Sequence, residues 1–329
     1  MANYKNIKGF NIQYLDSDPP NPIEGQMWFN STTQTLKGAE AGGVPLGTWA
    51  SGGDLNTARG QAGGAGTQTA GLAFGGDVPP RTGATEEYNG STWTTLPATL
   101  NTARRSRGVG ATSSAALFIA GYATADVANV ESWNGTSWTE ITDVNTARRN
   151  QATAGIQTAA LLFGGTSSPS ALTELWNGTS WTEVNDLNTG RFQLGGFGSS
   201  TSAVGMGGVV PGVVYANTES WNGTSWTEVN DLNTARDIPT GIGTSSSTGL
   251  SAGGRTQPGD VYTAITEYWD GTSWTEVADL ATARGDGAGK GIGSSTSGLL
   301  AGGYITPGLV ANTEEWTVPD YVVKTFTTS

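Results

Sequence analysis

The chain contains no cysteine and no histidine. Disulfides, thiolate nucleophiles, imidazole bases and ordinary zinc or copper centres are therefore excluded. Charge is scarce too, and 16 Lys and Arg against 28 Asp and Glu leave a formal net charge of −12. A surface of that sign opposes binding to a nucleic-acid backbone and favours solubility. No apolar run approaches 18 residues, so no membrane-spanning helix is expected. The start, Met1-Ala2-Asn3-Tyr4-Lys5, lacks an apolar core segment, so no signal peptide is expected.

What is abundant is glycine, at 50 of 329 residues, together with 12 tryptophans at regular spacing. The organising stretch is Trp221-Asn222-Gly223-Thr224-Ser225-Trp226-Thr227-Glu228. Asn-Gly between two Trp-bearing runs predicts a type I′ hairpin turn, with a tryptophan on each strand. Full copies carry Trp133/Trp138, Trp176/Trp181 and Trp269/Trp274, and Tyr88/Trp93 is a variant. The unit is split at the ends, because Trp49 has only its second half and Trp316 only its first.

The second Trp recurs at 49, 93, 138, 181, 226 and 274, a period of 43 to 48 residues. An arginine follows each, at Arg59, Arg104, Arg148, Arg191, Arg236 and Arg284, usually within Asn-Thr-Ala-Arg. Next comes a glycine pair, at Gly75-Gly76, Gly164-Gly165, Gly207-Gly208, Gly253-Gly254 and Gly302-Gly303, replaced in the second unit by Gly121-Tyr122. A variable stretch and Glu-x-Trp complete the period. Four short strands (a to d) per period of about 45 residues are the signature of propeller blades. The expected fold is all-β: a six-bladed β-propeller of four antiparallel strands per blade. The strand around Trp49 closes the ring against the last blade and removes its open edge. The β-branched run Val322–Phe326 is the competing candidate for that place. The expected domains are an arm at 1–37, the ring at 38–317, and a tail or extra edge strand at 318–329.

The spacing of Arg, paired Gly and Trp over residues 44 to 317 resembles the kelch repeat. That resemblance implies the propeller and is nearly silent on activity. The copper oxidases of the family depend on His and Cys, and neither occurs here. Pro19-Pro20-Asn21-Pro22-Ile23-Glu24-Gly25-Gln26-Met27-Trp28-Phe29-Asn30, followed by Thr35-Leu36-Lys37, resembles a module of tailed-bacteriophage virion proteins. The resemblance implies a virion location and a docking arm, with Trp28 and Phe29 as its contact residues and other virion proteins as its partners.

Features that repeat once per blade are expected to be structural. These are the tryptophans, the six arginines and the glutamates two before each aromatic (Glu86, Glu131, Glu174, Glu219, Glu267 and Glu314), read as Arg–carboxylate contacts or Arg–Trp stacking. The recurring Asp143, Asp186, Asp231 and Asp279 form no run of calcium ligands. No metal, cofactor or catalytic residue is expected. The stretches after the glycine pairs do not repeat. In an antiparallel blade they emerge with the d–a connections on one face, opposite the Asn-Gly turns. Arg81, Tyr122, Tyr215, Arg255, Tyr262 and Tyr304 lie at or beside them, and such anchors on a rigid scaffold mark a binding face. The expected function is a non-enzymatic phage tail-fibre or receptor-binding protein touching a host-surface glycan or protein. The alternatives are a head-decoration or neck protein and, third, a carbohydrate-active enzyme with acidic residues in its channel. Oligomeric state stays open.

Overall fold

In the computed structural model, residues 12–19, 22, 25–41, 47–166, 170–288 and 292–326 are described. The chain divides into two compact units, residues 1–47 with 318–329, and residues 48–317. The first unit begins with β1 (Gln13–Leu15), β2 (Met27–Asn30) and β3 (Thr35–Ala41). The second begins with β4 (Thr48–Ser51) and runs blade by blade. Blade 1 holds β5 (Gly63–Thr67), β6 (Ala70–Phe74), β7 (Ala84–Tyr88) and β8 (Trp93–Thr99). Blade 2 holds β9 (Arg105–Thr112), β10 (Ala115–Tyr122), β11 (Asp126–Trp133) and β12 (Trp138–Ile141). Blade 3 holds β13 (Ala152–Ile156), β14 (Ala159–Phe163), β15 (Thr173–Trp176) and β16 (Trp181–Val184).

Blade 4 is built from β17 (Gly195–Ser199), β18 (Ser202–Met206), β21 (Thr218–Trp221) and β22 (Trp226–Val229), with a small hairpin, β19 (Val209–Val210) and β20 (Val213–Val214), inserted between b and c. Blade 5 repeats that plan, with β23 (Thr240–Ser245), β24 (Thr248–Ala252), β27 (Thr266–Trp269), β28 (Trp274–Glu276) and the hairpin β25 (Arg255–Thr256) and β26 (Val261–Tyr262). Blade 6 pairs β29 (Ser297–Tyr304) with β30 (Leu309–Thr317), and β30 with β4, setting Trp316 opposite Trp49. The N-terminal strand thus closes the ring. Where an inner strand a is expected in blade 6, the described residues make isolated bridges, Ala288 to Ala301 and Gly293 to Gly298.

The competing candidate goes elsewhere. The last strand, β31 (Tyr321–Phe326), pairs antiparallel with β3, giving the first unit a sheet in the order β1-β2-β3-β31. The boundary expected at residue 37 therefore falls at 47, and the strand expected as a tail or an edge of the ring, Tyr321–Phe326, is instead an edge of the first unit's sheet. In this sheet Trp28 is fully buried, and its indole N–H donates to Asp18 at 3.0 Å. Asn30 and Lys37 bind the same carboxylate at 2.8 and 2.6 Å. With Lys37 the largest influence, these bonds lower the Asp18 pKa to about 2. Trp28 is thus an internal pillar and not a contact residue, whereas Phe29 is half-buried and stacks on the exposed Tyr14 at 4.8 Å.

The repeated residues hold the ring together. Each repeat arginine is fully buried and paired with the glutamate of strand c, from Arg59–Glu86 and Arg104–Glu131 through Arg148–Glu174 at 3.2 Å to Arg284–Glu314 at 3.1 Å. The same carboxylates accept a backbone N–H from the turn before the arginine, at 2.7 Å in every blade. The ion pair and this hydrogen bond offset part of the desolvation of two buried charges, and among the described residues Arg148, Arg191, Arg236 and Arg284 each keep at least one buried guanidinium nitrogen without a hydrogen bond. Asp186, Asp231 and Asp279 each accept the backbone N–H that opens strand c, at 3.1 Å.

The second tryptophans join neighbouring blades. The indoles of Trp93, Trp138, Trp226 and Trp274 donate to a strand-c threonine hydroxyl of the preceding blade, at 2.8–3.1 Å. Trp49 does the same to Thr266, so the closing strand obeys the rule of the other blades. Trp181 instead reaches the carbonyl of Thr142, because Val130 stands where blade 2 would carry the threonine. Apolar clusters fill the gaps between blades, as where Leu117, Ile119 and Val130 meet Leu162, Trp176 and Trp181.

Two turn assignments change. Between Trp133 and Trp138 the amide of Asn134 bonds the carbonyl of Ser137, so Gly135 and Thr136 are the central residues. Only Gly135 has positive φ, at 91°, so the turn is not type I′, which needs positive φ at both central residues. The asparagine lies one place earlier, and its Oδ1 accepts the N–H of Thr136 and Ser137. In blade 2 the left-handed pair is Ala120 and Gly121, at φ 53° and 112°, matching 65° and 110° at Gly75 and Gly76. Tyr122 is thus the residue after the pair, not a member of it.

Candidate functional site

Removing everything that repeats leaves two sets of positions on the face of the b–c and d–a connections. One follows the glycine pair: Asp77, Tyr122, Thr166, Val209, Arg255 and Tyr304. The other follows the buried arginine: Gly60, Arg105, Arg149, Phe192, Asp237 and Gly285. The backbone pairs these sets blade by blade, as in the bridges Gly60–Asp77, Phe192–Val209, Asp237–Arg255 and Gly285–Tyr304. The scaffold therefore presents two side chains per blade at fixed places, and only their chemistry varies.

That chemistry is concentrated. The guanidinium groups of Arg81, Arg105 and Arg149 lie 4.5, 5.1 and 4.5 Å from the centre of the Tyr122 ring. Asp77 takes a hydrogen bond from Arg105 at 3.2 Å and one from the Tyr304 hydroxyl at 2.7 Å, with Arg81 at 3.9 Å. Asp126 accepts from Arg149 at 3.0 Å and from Thr166 at 3.1 Å. Burial, reinforced by the bond to Asp77, raises the Tyr304 pKa. A Cβ at Gly60 would lie 2.3 Å from the Tyr304 ring, so the glycine makes room for this contact between blades 6 and 1.

Of the residues expected on this face, Arg81, Tyr122 and Tyr304 come together. Arg255 and Tyr262 form a second group, paired across β25 and β26. Arg255 binds the buried Asp237 at 2.7 Å and lies 3.6 Å from Asp260. The hydrogen bond to Asp237 raises the Arg255 pKa, and burial raises those of Asp237 and Tyr262. Tyr215 stands apart, its backbone holding Gly208 and Arg236. Sequence reading missed Asp77, Arg105, Asp126, Arg149 and Asp237. The signal available was that the residue after the repeat arginine varies strongly while the arginine does not.

Beneath this face the channel is shut. Amide-to-carbonyl bonds pass from blade to blade: Ser106 to Gln61, Gln61 to Asp286, Asp286 to Ile238, Ile238 to Gln193 and Gln193 to Asn150. The Gln151 side chain completes the circle by donating to Ser106 Oγ at 2.8 Å and to the Ile119 carbonyl at 3.0 Å. A buried ion pair, Arg107–Asp286, joins blade 2 to blade 6. At the other end the channel opens into a cavity of about 300 Å³ lined from all six blades, by Gly66, Gly110, Gly155, Gly198, Gly243 and Gly293 among others. Among the described residues its lining carries no titratable side chain.

No family model matches the chain, and no curated protein matches it in sequence. Its fold does match, with 297 chains of solved structures found to be similar. One is the structure of YjhT, with a TM-score of 0.68 and 13% identity, covering 83% of this chain and 99% of that one. At that identity the likeness shows the fold alone, an all-β propeller-like ring.

Proposed function

We propose that the protein is a non-enzymatic virion protein of a tailed phage, a tail-fibre or similar receptor-binding propeller that meets the host surface with its b–c face. The observation carrying this reading is the distribution of variation. One face repeats Asn-Gly turns, while the other presents two non-repeating side chains per blade on a rigid, closed scaffold. The hairpins of blades 4 and 5 add exposed tips, at Val213 and Val261, to that face. The kelch-like spacing and the phage-like module at residues 19–37 support the class of protein. Asp77, Asp126 and Asp237 are each engaged by an arginine, an arrangement that fits side chains held in place on a binding surface.

The test exchanges residues 209–214 and 255–262 for tight Gly-containing turns in protein assembled on particles. Host attachment is expected to fall by about tenfold or more, the scale of losing interface anchors. Unchanged attachment would remove the b–c face from recognition.

A further inference from the structure

The Tyr122 cluster carries more than a general binding face. Three arginines from consecutive blades surround one aromatic ring, and the carboxylates facing them are Asp77 and Asp126. Three positive charges against two leave a local surplus of one on a chain whose net charge is −12. Guanidinium groups this close repel one another, and the two aspartates offset only part of that repulsion. The donors are also underused. Among the described residues Arg105 and Arg149 each give one Nη1 bond to a carboxylate, whereas Arg81 reaches Asp77 only at ion-pair distance. Among the described residues the buried Nε atoms of Arg81 and Arg105 have no hydrogen-bond partner, although Arg81 Nε lies 3.9 Å from Asp77. The three side chains remain about a quarter exposed, so their free N–H groups are accessible. The Tyr122 ring is occupied by cations and is not a free platform for stacking a sugar.

We propose that this cluster is a site for an anionic oxygen group, a carboxylate or phosphate on the bound ligand, held by Arg81, Arg105 and Arg149 over Tyr122. It rests on the b–c face being the recognition face. Arginine suits the task because its planar fork donates two parallel bonds to a carboxylate or phosphate. Asp77 and Asp126 orient two of the three forks, leaving Arg81 as the group with most capacity for an incoming anion.

The probes are trigalacturonate and inorganic phosphate, titrated calorimetrically into the full-length protein. R81Q and R149Q are the test variants, and K324Q, in the other unit, is the control for net charge. Native circular dichroism of each variant separates loss of binding from loss of fold. Binding of either probe, weakened about tenfold by R81Q or R149Q but not by K324Q, supports the site. Trigalacturonate alone identifies a carboxylated saccharide, and comparable binding of phosphate identifies a phosphate-bearing ligand. No binding of either probe, or binding indifferent to both variants, overturns the site. Host attachment lost on hairpin exchange but kept in R81Q and R149Q would refute this inference while leaving the receptor-binding reading intact.

Discussion

Replacing Arg104 by lysine destabilises the ring nearly as much as replacing it by alanine. The guanidinium uses all its donors. Nε bonds the carbonyl of Ala120 at 2.9 Å, Nη1 bonds Thr102 at 3.0 Å and Glu131, and Nη2 bonds Phe118 at 3.0 Å and Asn129 at 3.3 Å. It also lies 4.7 Å from the centre of the Phe118 ring. A lysine ammonium is a compact point donor with three N–H groups and cannot span five acceptors spread around a planar fork. Burial already lowers the Arg104 pKa, a sign of the desolvation that its partners offset. Either substitution leaves Glu131 with a fully buried carboxylate and no arginine, and the loss of such a partner costs about 3–5 kcal/mol. Chemical denaturation of R104K and R104A checks this, with both midpoints expected well below that of the parent. R104K within about 1 kcal/mol of the parent would contradict the fork geometry as the source of stability.

Trp49→Ala opens the ring. This one side chain joins β4 to two neighbours, its ring tilted against that of Trp316 with centroids 5.5 Å apart and its indole donating to Thr266 of blade 5 at 3.1 Å. It packs against a small inter-blade cluster built on Ala252, Leu280 and Leu300. Because Trp49 is only half-buried, the expected loss is about 3 kcal/mol, at the low end for a tryptophan truncation. Its consequence exceeds the number, since β4 completes its blade from the far end of the sequence. Hydrogen exchange is expected to accelerate in β30 and β27 of W49A, while β13 to β16 keep their protection. Trp49→Phe retains ring area and loses only the indole bond, a cost of about 1 kcal/mol. Full protection of β30 in W49A would show that the ring does not depend on this closure.

Much of this was legible because the repeat is explicit. Trp49 and Trp316 are the halves of one motif, which favoured their pairing over the competing Val322–Phe326 run, and the structure pairs them. Once-per-blade recurrence marked the arginines and glutamates as structural but left Arg–carboxylate contact and Arg–Trp stacking open, and the structure pairs each arginine with its glutamate. What was hidden has specific causes. Val322–Phe326 is a generic β-branched run that fits any sheet edge, and nothing in its residues points to β3. Ala120 occupies a left-handed position usually given to glycine, which shifted the apparent glycine pair by one and misplaced Tyr122 within its repeat. Trp28 lies in the stretch read as a docking arm, but nothing in its residues says that Asp18 turns the indole inward. The Tyr122 cluster was half visible: Arg81, Tyr122 and Tyr304 stood out, while Arg105 and Arg149 were overlooked directly beside the conspicuous repeat arginines.

The proposal that this propeller is carried on a phage particle to meet the host is checked by gold-labelled antibody against the ring, imaged on intact particles of the source phage by electron microscopy. Label is expected at tail tips or fibres. Label spread over the head would contradict host recognition and make the protein a decoration protein, and particles without label would contradict the virion assignment itself.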